Sequence, residues 1–149
     1  VFIAVKISPD IEDENIEKIS ESLIKYDISA VIISNTTDRN RDNLININKF
    51  EKGGLSGKPL EKSSNILINK FHKILKNKIK IIGVGGVDSG YSAFEKILNG
   101  ANLVQLYTGM VYQGPDIAYK IAKELIDILK EKRIENISSI IGKKNELDW

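Results

Sequence analysis

The sequence predicts an α/β fold built on a parallel sheet, and three observations carry that prediction. Four short β-branched runs, Phe2–Ile7, Ala30–Ser34, Ile79–Val84 and Leu103–Tyr107, are nearly continuous in apolar residues, as strands covered on both faces should be. Each run leads through polar or Gly-rich residues into a helical pattern, giving β-α-β-α-β-α-β-α with no interdomain linker. Alternation of this kind makes parallel strands joined by right-handed crossovers. Two architectures satisfy it: an open doubly wound sheet, or part of a (β/α)8 barrel. A whole barrel takes about 250 residues, so 149 supply the second half at most. Val1 in place of an initiator Met favours that reading, with residues 1–149 as the C-terminal half of one domain and the N-terminal half absent.

The helices follow from spacing. Ile16, Ile19, Leu23 and Ile24 share one helical face, and Ile66, Leu67, Phe71, Ile74 and Leu75 share another. Ala93, Ile97 and Leu98 mark a shorter helix, with Ser89 as N-cap and Gly100 as stop. Pro115 suits the first turn of a fourth helix carrying Ile117, Ile121, Leu125 and Leu129. A last short helix covers Ile137–Ile141 and ends at Gly142. The long polar connection Asp38–Lys62 lies between the second strand and its helix, and loops of that length are functional or mobile.

Composition narrows the function classes. The chain is 42% apolar and 28% charged, which is ordinary for a globular domain. Charged residues or Asn interrupt every apolar run before membrane-spanning length, and the N-terminus has neither the basic region nor the cleavage site of a signal peptide. Zero Cys excludes disulfides and thiolate chemistry here, and a single His excludes a His-rich metal site. The net charge is +2, and 19 Lys accompany only 3 Arg; nucleic-acid readers lean on Arg forks and stacked aromatics, so none is expected as a partner. His72, between Lys70 and Lys73, reads as a surface histidine. Glu12, Asp13, Glu14 and Glu17 complement a helix dipole and form no catalytic pair.

The informative residues sit at the C-terminal ends of the strands, where α/β folds hold ligands. Lys6 is either a cation beside an electron-rich ligand or an edge-strand lysine reaching water. Ser34-Asn35-Thr36-Thr37 offers four hydrogen-bonding side chains in a row, suited to a planar polar substrate or to an Asx turn. Gly53-Gly54-Leu55-Ser56-Gly57-Lys58-Pro59 fails the phosphate-loop pattern by one residue of spacing, leaving a flexible turn or a close backbone approach to a flat ligand. Gly83-Val84-Gly85-Gly86-Val87-Asp88 puts Asp88 where a dinucleotide fingerprint needs its third glycine. What survives is a Gly-rich turn whose N–H groups can hold a phosphate. Tyr107-Thr108-Gly109 closes the series at the fourth strand end.

In this order, Val5-Lys6-Ile7-Ser8-Pro9-Asp10, Ser34-Asn35-Thr36-Thr37, Gly53-Gly54-Leu55-Ser56-Gly57, Gly83-Val84-Gly85-Gly86 and Leu106-Tyr107-Thr108-Gly109 resemble the signatures of the dihydroorotate dehydrogenase family. Any one motif is weak; five in register are specific. The Gly-Gly-Leu-Ser-Gly and Lys-Ile-Ser-Pro-Asp versions look like the membrane-associated, quinone-reducing class. Ser34 and Thr108 stand where close relatives often have Thr and Ser, swaps that keep a hydroxyl.

The resemblance implies a (β/α)8 barrel with FMN across its mouth, oxidising (S)-dihydroorotate to orotate with a quinone as acceptor, in pyrimidine synthesis. By similarity, Lys6, Ser34, Gly57, Gly86, Tyr107 and Thr108 bind FMN, and Asn35 and Thr36 hold the substrate. The family's catalytic base is a serine in the first half of the barrel, so no residue here is assigned that role. The same resemblance implies a membrane surface as partner through the N-terminal region, on the cytoplasmic face of a bacterial inner membrane or on a mitochondrial inner membrane. The alternatives are a phosphate-binding barrel enzyme without flavin and a non-catalytic module that binds a phosphorylated ligand.

Overall fold

The computed structural model describes residues 1–39, 41–42 and 44–146. Its sheet has four parallel strands: β1 (Ala4–Ile7), β2 (Ala30–Ile33), β3 (Lys80–Val84) and β4 (Leu103–Gln105). They lie side by side in chain order. A doubly wound sheet reverses its strand order at a switch point, whereas a barrel adds each strand beside the last. This sheet does not reverse, so the chain forms four consecutive βα units of a (β/α)8 barrel.

The helices are α1 (Asp13–Lys25), α2 (Glu61–Leu75), α3 (Gly90–Leu98), α4 (Thr108–Gln113) and α5 (Ile117–Glu131). Short 3-10 turns occupy Ile47–Phe50, Lys58–Leu60 and Ile137–Ile140. Pairing puts Ile7, Ile33, Gly83 and Val104 in one row across the sheet. That row faces the helices: Ile7 and Ile33 join Ile16, Leu23, Leu67, Ile68 and Phe71 in one buried cluster. Gly83 belongs there because a Cβ at this position would press on Ile68 and Lys96 at 3.1 Å, so its bareness lets the helix layer approach. The adjacent row, Lys6, Ile32, Ile82 and Leu103, points the opposite way by the period of two. A second layer of packing joins α3 and α5 through Phe94, Ile97, Leu98, Leu125 and Leu129.

Ser89 caps α3 as its sequence predicts, accepting from the Ser92 N–H while the Ser92 hydroxyl accepts from Ser89. A reciprocal cap of this kind contributes about 1 kcal/mol and starts the helix directly after Asp88.

Several expectations are corrected. β1 and β4 are not covered on both faces; Ala4, Val5, Lys6, Leu103 and Gln105 are exposed, because these strands form the two edges of the sheet. β4 also ends at Gln105, and Tyr107 instead precedes the unanticipated six-residue α4. Pro115 lies just ahead of α5, whose N-cap is Asp116. The turn at Ile137 is 3-10 rather than α. His72 is half-buried, not a surface residue: a Cβ built on Gly100 or Gly142 would fall on its side chain. That packing leaves the imidazole poorly solvated and pulls its pKa below the ordinary value. The connection Asp38–Lys62 is shorter by two residues, since α2 begins at Glu61, and its positions 40 and 43 lie outside the described residues.

Candidate functional site

Parallel strands end on the same side, and there a cavity of about 650 Å³ opens. All eight residues singled out in the sequence line it: Lys6, Ser34, Asn35, Thr36, Gly57, Gly86, Tyr107 and Thr108. They come from four strand ends and, for Gly57, from the connection between β2 and α2, and lie up to 102 positions apart (108 − 6). The volume falls in the range of small-molecule and cofactor sites, roughly 300–1,000 Å³.

Lys6 stands on the open edge strand with its side chain exposed, facing the cavity; of its two readings, the edge-strand geometry holds, and it does so without removing the cation from the site. The Ser34 N–H donates to the Val84 carbonyl (3.0 Å) and the Asn35 N–H to the Ile7 carbonyl (2.8 Å), tying the second strand end to the third and the first; the Ile33–Ser34 peptide is cis. Ser34 is buried, while Asn35 and Thr36 are exposed to the cavity. Thr37 is buried again and anchors the segment. Its hydroxyl donates to Asp10 Oδ1 at 2.5 Å, and its backbone pairs with Leu55 in both directions, at 3.1 and 2.7 Å.

The Leu55 pairing brings the glycine segment over the cavity. A Cβ at Gly54 would fall on the Thr36 side chain, so the loop reaches the strand end only with glycine there. Further back the loop is gathered by Arg41, whose guanidinium donates to the carbonyls of Lys49 (3.2 Å), Glu51 (2.5 Å) and Gly53. Its other end crosses to the start of α4, where Thr108 Oγ1 donates to Ser56 Oγ at 2.9 Å. Gly57 has φ +78° and Gly86 φ +74°, a region that favours glycine. A Cβ on Gly86 would strike Glu61.

Glu61 is the acidic side of a small charged cluster that sequence reasoning missed. Lys58 Nζ lies 2.7 Å from Glu61 Oε2 and 3.4 Å from Asp88 Oδ1, joining the glycine loop to the turn after β3. The hydrogen bond to Glu61 is the main reason that the Lys58 pKa sits above its ordinary value. A second omission is Lys96, which is fully buried and donates to Ser64 Oγ (3.1 Å) and Asn65 Oδ1 (2.9 Å). Burial pushes its pKa down to about 8, opposed in part by the charge of Glu61. The available signal was its place three residues after Ala93, on the apolar side of α3.

The family model for dihydroorotate dehydrogenase matches residues 1–129. The chain belongs to the dihydroorotate dehydrogenase family. Curated relatives named dihydroorotate dehydrogenase (quinone) agree: that of Buchnera aphidicola is 50% identical over 126 residues, which are 84% of this chain and 37% of that protein. The Vibrio cholerae protein is 49% identical over 128 residues, again 84% of this chain and 37% of the relative. Among solved structures, the dihydroorotate dehydrogenase of Eimeria tenella in complex with ferulenol superposes with a TM-score of 0.93 at 34% identity, covering 98% of this chain and 39% of that one. The ligand-free form of the same enzyme gives 0.92. The chain thus spans about two-fifths of the length of these dihydroorotate dehydrogenases.

Proposed function

We propose that this chain is the second half of a quinone-dependent dihydroorotate dehydrogenase, and that its cavity holds FMN together with dihydroorotate. One observation supports the reading above the others: the eight residues that the family signatures single out line a single cavity. The donor set suits FMN. Gly57 and Gly86, with positive φ, line the cavity with backbone that can face a phosphate or a flat ring, and Tyr107 and Thr108 line the same cavity. Lys6 contributes a cation, and Asn35 and Thr36 present amide and hydroxyl groups to the same space.

In this reading a bound FMN would supply the two-electron chemistry that links dihydroorotate oxidation to a quinone. The protein residues bind and orient. Lys6 would supply a cation beside the bound flavin, where it would favour negative charge on the ring. Asn35, exposed to the cavity, offers both a donor and an acceptor to a pyrimidine, and the buried Ser34 is assigned to the flavin side. The proton lost with the hydride would go to a base outside these 149 residues, in the first half of the barrel. No helix among the described residues is long and apolar enough to cross a membrane; we place contact with a membrane surface, bacterial inner or mitochondrial inner, in the N-terminal region.

The test is direct. The whole enzyme should purify with flavin absorbance and should reduce a quinone only when dihydroorotate is present. A colourless preparation that gains no flavin on reconstitution sinks the proposal.

A further inference from the structure

Lys96 is expensive where it lies. An ammonium with no exposed surface, held by two neutral oxygens of α2 and offset only in part by the charge of Glu61, is poorly compensated, and an apolar side chain of similar length would fill the space without that cost. Its hydrogen bonds lead to the cavity. Having accepted from Lys96, the Ser64 hydroxyl donates to the Val84 carbonyl at 2.6 Å. The Ser34 N–H donates to the same carbonyl at 3.0 Å. Val84 O is therefore a junction between the end of β2 and the peptide that opens the Gly85-Gly86 turn. A cation behind a hydroxyl makes that hydroxyl a stronger donor, because hydrogen bonds in series polarise one another.

We infer that Lys96 is a positioning residue for the phosphate of the flavin: through Ser64 it fixes and polarises the Val84–Gly85 peptide, holding the Gly85-Gly86 turn ready for an anion. This rests on the proposed flavin site and assigns a role to a residue outside the cavity lining. Lys96 touches no ligand in this account; it acts through Ser64 and Val84.

The experiment compares FMN with riboflavin, which lacks the phosphate, on the stripped whole enzyme. Lys96→Met and Ser64→Ala should each weaken FMN binding by about tenfold, the loss of one supported hydrogen-bonding unit, while riboflavin affinity changes by no more than about twofold. The double variant should lose no more than either single one, since both interrupt the same relay. Ser64→Ala removes one oxygen only, so it carries the test if Lys96→Met fails to fold. Equal losses for FMN and riboflavin would mean that Lys96 only supports the fold, and unchanged FMN binding would mean that the relay does nothing for the phosphate; either overturns the inference. Wild-type enzyme that binds neither flavin overturns the proposed function itself, a result separable from the other two.

Discussion

The hydroxyl of Thr37 donates to the carboxylate of Asp10 at 2.5 Å, joining the loop after β1 to the end of β2 across 27 positions of sequence. The other oxygen of Asp10 accepts from the Asp38 N–H at 3.0 Å. Asn35 and Thr36 thus protrude from a segment that is anchored at both ends, by the Ile7 carbonyl on one side and by Asp10 and Leu55 on the other. Preorganisation of that kind is what a substrate-reading strand end requires.

Asp10→Ala therefore loosens Asn35 and Thr36 without touching either. A hydrogen bond to a charged group contributes about 1.5–3 kcal/mol, so kcat/KM for dihydroorotate in the whole enzyme should fall at least about tenfold. The flavin-to-protein absorbance ratio should stay near that of the wild type. A variant with unaltered steady-state kinetics would show that Leu55 pairing suffices.

Asn35→Ala and Ser34→Ala should part company. The first removes a partner from a buried polar substrate, at about 1–3 kcal/mol, and lowers kcat/KM roughly tenfold to a hundredfold while flavin content holds. The second should lose flavin more readily than substrate affinity. Absorbance ratios and steady-state kinetics on the two purified proteins decide the matter; equal flavin loss with unchanged kinetics for Asn35→Ala reduces Ser34-Asn35-Thr36 to a structural turn.

Lys6→Ala should weaken FMN retention on dialysis and slow flavin reduction by dihydroorotate in stopped flow. The expected loss is that of a charge-assisted contact, roughly 1.5–3 kcal/mol. Retention and reduction both at wild-type level would remove Lys6 from the flavin site and leave it as an edge-strand lysine.

The buried ammonium of Lys96 has a pH signature of its own. Its pKa in the folded chain, about 8, lies below the ordinary 10.5, so between those values the unfolded chain binds more protons and stability rises with pH. Below pH 8 the burial penalty is present in full, about 3 kcal/mol at 1.36 kcal/mol per pH unit. Relative to Lys96→Met, the wild type should therefore gain most of that amount between about pH 8 and 10.5 in urea denaturation, because other titrations cancel in the difference. Curves that run parallel across this window would mean that Lys96 is solvated in solution.

Much of this was legible beforehand, for physical reasons that can be named. Val31, Ile33 and Ile81 announce strands because residues buried in a parallel sheet have nowhere polar to face. Lys6, Asn35, Gly86 and Thr108 could be grouped before any coordinates because parallel strands deliver all their C-terminal ends to one side. Lys96 was harder: its place on the apolar side of α3 hinted at burial, but a lysine on a helix reads as solvated until the neighbouring helix supplies Ser64 and Asn65. His72 failed for the same reason, since the two glycines that enclose it lie 28 and 70 positions further on (100 − 72 and 142 − 72). The short α4 escaped because six residues are too few to show a helical period.

That enclosure has an evolutionary consequence. Gly142 and Gly100 cradle the imidazole, while the Gly142 N–H donates to Ile97 O at 3.1 Å and the Lys144 N–H to Leu98 O at 2.9 Å. The segment from Gly142 to Lys144 is thereby strapped across α3, beyond the last residue that the family model matches. Positions 72, 100 and 142 form a steric triplet with one shared volume. A lineage that gains a side chain at either glycine must shrink residue 72 or surrender the strap, so these three sites can drift only together.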